Sequence, residues 1–185
     1  QEATDYLYQL KASLEEEKNS SIVVLYQIGE SDYVTDLLAS LYSNMVSTPF
    51  FDELRTKQSC GYIVHATKLK KHNINFIAFL VQSHEKNPNY ILSRIEDFIA
   101  EFNRKTSVLE ENDFQQYKDS LAQQIMQKED NIVDVMKRTW NQIKMETFDF
   151  HRRDRLLEKL KILHIEDLQK FSQCLFTKGR FIMEV

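Results

Sequence analysis

Glycine and proline are scarce: the 185-residue chain holds 3 and 2, against a usual combined share of about 12%. A many-stranded sandwich, barrel or propeller needs more turn residues than that. Gly29, Gly61 and Gly179 stand alone, so neither G-x-G-x-x-G nor a Walker loop exists to cradle phosphate. Cysteine is scarce too. Cys60 and Cys174 are the whole complement, which makes no disulfide framework and leans toward a cytosolic setting. A basic excess is missing: 24 Lys+Arg face 28 Asp+Glu, a net charge of −4. Nothing global therefore draws the chain to nucleic acid. No apolar run nears the roughly 18 residues of a membrane span. The start, Gln1-Glu2-Ala3-Thr4-Asp5, has neither a basic apolar signal nor a Met; we expect processing or excision from something longer.

What is present reads as strands around helices. Ile22 to Ile28 is β-branched and apolar, and Gly29 follows it, which predicts a buried strand. The stretch Tyr6–Leu10 suits a strand by alternation and a helix by its neighbours Lys11 to Glu17. Ser31 or Asp32 caps a helix carrying Val34, Leu37, Leu38, Leu41 and Met45 on one face. Thr48 and Pro49 then predict a break, with a short second helix bearing Phe50, Phe51, Leu54 and Arg55. Gly61 provides the turn that ends it. Tyr62–Leu69 and Ile74–Ser83 form a hairpin around a basic tip. Phe76–Val81 within it is apolar at both parities, which predicts cover on both faces.

From Asn87 and Pro88 onward helical stripes follow one another. Ile91, Ile95, Phe98, Ile99 and Phe102 make the first; Phe114, Tyr117, Leu121 and Ile125 the second. Val133, Met136, Trp140 and Ile143 make a third, with Trp140 expected in the core. Two more follow, Gly179 stops the last, and Arg180 to Val185 alternates as a closing strand. The order predicts one α+β domain over 1–185: two layers, an antiparallel-rich sheet with helices packed on one face.

Self-contained catalytic sets are absent. No H-E-x-x-H, H-x-x-E-H, C-x-x-C or G-x-S-x-G occurs. Cys60 and His65 supply two potential zinc ligands, short of any site. Lys68, Lys70, Lys71 and His72 make a basic tip, read as a solvated loop with polyanion binding as the lesser alternative.

One segment stands out: Phe51-Asp52-Glu53-Leu54-Arg55-Thr56-Lys57-Gln58-Ser59-Cys60-Gly61-Tyr62-Ile63-Val64. It resembles the F-x-x-L-R-T-[KE]-[EQ]-Q-L-G-Y-x-V signature of the insulinase/pitrilysin family of zinc metallopeptidases. Ser59 and Cys60 depart from it, at packing positions. His164 to Phe171 resembles the family's T-x-E-D-[IL]-x-x-[FW], with His164 in place of a capping Thr. That replacement is expected to weaken the cap by about 0.5–2 kcal/mol. The likeness spans roughly residues 6 to 185.

The resemblance implies the fourth of four homologous α+β domains, two in each half, with the halves closing over a peptide. The zinc motif H-x-x-E-H belongs to the first domain, so zinc is implied for the full-length enzyme and none for this chain. The implied partners are the other domains, above all the zinc-bearing half, and peptide substrates. The resemblance assigns Arg55 and Tyr62 the role of donors to the substrate carbonyl oxygen as negative charge grows there. It places Phe51 beside the cleavage point in an apolar pocket, and gives Gly61 the tight turn between them. A non-catalytic scaffold of the same fold is the alternative.

Overall fold

The computed structural model describes residues 5–11, 19–129, 131–144, 148–177 and 179–185. Five strands form one mixed sheet: β1 (Tyr6–Gln9), β2 (Ser20–Glu30), β3 (Ile63–Lys71), β4 (Ile74–Ser83) and β5 (Arg180–Glu184), in the order β1-β5-β2-β4-β3. Every pairing is antiparallel except β1 with β5. Among the described residues six α-helices accompany it: α1 (Tyr33–Phe51), α2 (Pro88–Ser107), α3 (Glu111–Met126), α4 (Ile132–Lys144), α5 (Arg152–Lys161) and α6 (Ile165–Leu175). The α+β class expected from the sequence is the one observed. Of Tyr6–Leu10, Tyr6–Gln9 is strand; residues 12–17, on which the helix alternative rested, lie outside the described residues.

The core lies between the sheet and the helices. Ile22, Val24, Tyr26 and Ile28 of β2 share a face with Ile77, Phe79 and Val81 of β4, and all are buried. On the opposite face Ala78 is buried, but Val23, Phe76 and Leu80 are only half-buried. The cover expected over both faces of β4 is therefore complete on one alone. Ile91, Ile95, Phe98, Ile99 and Phe102 of α2 all turn inward, and Asn87 caps that helix on the Tyr90 N–H at 2.9 Å. Asp32 caps α1 with a full capping box. At α6, the Asp167 carboxylate accepts the His164 N–H at 3.0 Å. The acidic residue thus supplies part of the cap that His164 was expected to weaken.

Three local expectations are corrected. Thr48 and Pro49 do not break the helix; α1 runs through Pro49 to Phe51. A mid-helix proline costs about 3 kcal/mol by removing a hydrogen bond and crowding the preceding turn. Here Phe50 is fully buried, its ring 5.1 Å from that of Phe79 and 5.2 Å from that of Phe98, which offsets the loss. The helix then widens into a π-helical turn over Asp52–Lys57, a rare geometry that recurs at functional sites. Secondly, α6 ends at Leu175, four residues before Gly179. Finally, Trp140 is no core residue: it is 64% exposed, and no residue of α4 is buried.

Candidate functional site

The π-helical turn carries the signature residues. Its wide hydrogen bonds run from Gln58 N to Glu53 O (3.0 Å) and from Cys60 N to Leu54 O (2.8 Å). Leu54 and Cys60 are fully buried and anchor the turn from within. Phe51 and Arg55, one turn apart, stay on the outside. The chain then doubles back into β3. The Tyr62 N–H donates to Gln82 O at 2.9 Å, which extends the β3–β4 ladder by one residue.

Gly61 has a different task from the one expected. The left-handed backbone in this bend belongs to Ser59 (φ 51°), not to the glycine. A Cβ on Gly61 would lie 2.3 Å from Gln82 O. Glycine is needed here because the bend presses against β4. The Gly61 carbonyl in turn accepts from Arg55 Nη1 at 2.8 Å, which holds the guanidinium beside the root of Tyr62.

Phe51, Arg55, Gly61 and Tyr62 thus line one open groove of about 570 Å³. Phe51 is 41% and Tyr62 45% exposed. One guanidinium N–H of Arg55 is engaged with Gly61, so further donors of its five remain for a ligand. The far wall is the segment after β4: Ser83, His84 and Glu85. Ser83 is buried, and its hydroxyl accepts the N–H groups of Glu85 (3.3 Å) and Lys86 (3.0 Å). In the sequence His84-Glu85 reads only as an incomplete H-E-x-x-H, without a second histidine at helical spacing, and not as a wall of this groove. The hairpin register was the available signal: Gly61 and Tyr62 abut Gln82, so the residues after Ser83 must border them.

A neighbouring groove of about 600 Å³ runs along Asp52, Glu53, Lys57, Glu101 and Lys105. Four of its charges are paired, Lys57 with Glu53 at 2.8 Å and Lys105 with Glu101 at 3.5 Å. Zinc does not fit the Arg55/Tyr62 groove. Its metal-type donors are the sequence neighbours His84 and Glu85, fewer than the three protein ligands of a catalytic zinc. No cluster of three or more His, Cys, Asp or Glu suited to a metal occurs among the described residues. Cys60 is buried in the core while His65 is exposed on β3, so they make no pair.

The basic tip is not a simple solvated loop. The link in the hairpin is only His72-Asn73, both at positive φ (46° and 59°), as a tight two-residue turn requires. Lys68 and Lys70 point back toward α1. Lys68 Nζ donates to Asp36 O (3.1 Å) and Ser40 Oγ (3.0 Å), and Lys70 Nζ to Ser31 Oγ (2.7 Å). Burial, with help from Lys70, pushes the Lys68 amine down to about 8. The buried Asp36 carboxylate gathers Ser31, Asn75 and Arg152, with Lys70 at 3.9 Å.

A family model described as PQQ synthase PqqF-like, C-terminal lobe domain 4, matches residues 41–140. That span includes the groove's Phe51, Arg55, Gly61 and Tyr62. The chain belongs to the insulinase/pitrilysin family, as a C-terminal-lobe domain. Human insulin-degrading enzyme is 29% identical over 153 residues, which is 83% of this chain and 15% of that enzyme. The crystal structure of pitrilysin superposes with a TM-score of 0.87 at 18% identity, over all of this chain and 20% of the other. A peptidase M16 inactive domain from Pseudomonas fluorescens shares the fold (TM-score 0.70, 12% identity), over 99% of this chain and 43% of that one. This family member thus spans about 15% of the length of the curated relatives it matches.

Proposed function

We propose that residues 1–185 act as one domain of a longer zinc metalloendopeptidase and supply substrate-binding and transition-state-stabilising groups rather than the metal. The observation that carries this reading is the shared groove. Both Arg55 and Tyr62 line it with donors that have no partner among the described residues, beside the exposed ring of Phe51.

The chemistry follows from those groups. A peptide lying in the groove sets an apolar side chain on Phe51 and a backbone carbonyl toward Arg55 and Tyr62. As water adds to the scissile carbonyl, charge moves onto its oxygen. The phenol and guanidinium donate hydrogen bonds to that oxygen, or to the next carbonyl along. Donors fixed beforehand by Gly61 and the π-helical turn need no reorganisation when charge develops. The groove is open on this chain alone. Docking of the metal-bearing half over it excludes water and strengthens every hydrogen bond inside. The zinc is assigned to that half.

Full-length Tyr62→Phe is expected to lower kcat roughly 10- to 1000-fold with little change in KM, as loss of one oxyanion donor does. Unchanged turnover would remove Tyr62 from the reaction. The likeness to a neighbour named as an inactive domain favours one second reading, a scaffold of the same fold. A full-length parent that cleaves no fluorogenic peptide with zinc supplied would decide for the scaffold.

A further inference from the structure

The far wall of the groove carries a charge that the donor chemistry of Arg55 and Tyr62 leaves unused. Glu85 lines that wall, and its side chain is exposed. The nearby cations are engaged elsewhere. Arg55 Nη1 donates to Gly61 O at 2.8 Å. Lys86 Nζ sits 5.7 Å from the centre of the Tyr90 ring, and Arg94 pairs with Asp97 at 2.6 Å. The Glu85 carboxylate has no ion-pair partner among the described residues.

The backbone that carries Glu85 is held from two sides. The buried Ser83 hydroxyl accepts the N–H groups of Glu85 and Lys86. Ser20 Oγ, at the start of β2, donates to Lys86 O at 2.5 Å. The segment is thus tied to the end of its own strand and to the neighbouring strand. A side chain that reaches into a groove from a fixed backbone is positioned for contact before any ligand arrives.

We propose that Glu85 sets the specificity of this groove by accepting the cationic side chain of a Lys or Arg residue of the peptide. The proposal rests on the reading of the groove as a peptide site. An extended peptide points successive side chains to opposite sides. A residue set against Phe51 on one wall therefore turns its neighbour toward the other, where Glu85 stands. The groove is bipolar. Arg55 suits carbonyl oxygens, Glu85 suits a cation, and an acidic side chain at the same place meets like-charge repulsion. An exposed ion pair contributes little in open water. Docking of the metal-bearing half excludes that water and strengthens the pair. The preference therefore belongs to the closed parent rather than to this chain alone.

The test uses the full-length parent and internally quenched peptides that differ at a single residue, Lys, norleucine or Glu, moved in turn through the positions flanking the scissile bond. At one position Lys should raise kcat/KM roughly tenfold over norleucine, the scale of a hydrogen bond to a charged group. Glu85→Gln should bring that ratio close to one, and Glu85→Lys should invert it in favour of the Glu peptide. Both variants should melt with the wild type, because the side chain is exposed. A ratio that neither variant moves, or the lack of any position that favours Lys, overturns the proposal. So does a preference that vanishes on N-terminal acetylation, which would assign the carboxylate to a terminal amine. Tyr62→Phe should slow all three peptides alike and keep the ratio. Slowing by Tyr62→Phe with a ratio unmoved in the Glu85 variants sinks this proposal alone. A moved ratio with undiminished Tyr62→Phe turnover sinks the donor role alone.

Discussion

Two arginines, Arg55 and Arg152, mark two polar regions with opposite designs. Arg152 is partly buried, ion-paired with Asp36, and stacked 5.3 Å above the Tyr33 ring. Around it Asp36 also takes hydrogen bonds from Ser31 and Asn75, at 2.7 and 2.5 Å. Arg55 lies exposed in a groove and has one fixed contact, to the Gly61 carbonyl. The first cluster is closed upon itself and fastens the hairpin and α5 to α1. The second is held in place but left incomplete. A charge whose partners are all internal serves stability, while a positioned charge with donors to spare fits the substrate contact proposed for Arg55.

Mutations should separate the two regions cleanly. Asp36→Ala should have the largest effect on folding, about 3–5 kcal/mol, because it leaves partly buried cations without their buried anion; urea unfolding of the chain measures it. If the loss were below about 1 kcal/mol, the cluster would not be the fastening described. Gly61→Ala stands between the regions. Its Cβ would meet the Gln82 carbonyl at 2.3 Å, so the bend must move, at about 1–3 kcal/mol. Activity in the parent should fall with it, since the bend carries Tyr62.

A pH dependence is confined to the closed region. Burial holds the folded Lys68 amine at about 8, below its ordinary 10.5. The unfolded chain then binds more protons between those values, so stability should rise as pH increases through that window. Lys68→Met should flatten this rise in urea midpoints measured from pH 7 to 10. An unchanged slope would place the titrating group elsewhere.

Much of this was legible in the sequence. The runs Ile22–Ile28 and Ile74–Ser83, the Asp32 and Asn87 caps and the α2 stripe all describe local physics, and the structure matches them. The groove was legible only through the Phe51–Val64 signature; composition and periodicity alone leave Arg55 an ordinary surface charge. What escaped depends on tertiary context. Pro49 looked like a break because Phe50 packing against Phe79 and Phe98 is not visible in one dimension. Lys68 and Lys70 looked solvated because Asp36 lies more than thirty residues away in sequence. Trp140 looked like core because an apolar stripe does not say which body covers it.

The central claim is that Arg55 and Tyr62 act together on one developing charge. A double-mutant cycle in the full-length parent, with Arg55→Lys, Tyr62→Phe and both, tests it through kcat alongside the melting temperature of each variant. The prediction is a large loss of kcat in each single variant, a double variant that loses less than the product of the two, and melting within about 0.5 kcal/mol of wild type throughout. Single variants that turn over peptide like the wild type would contradict it.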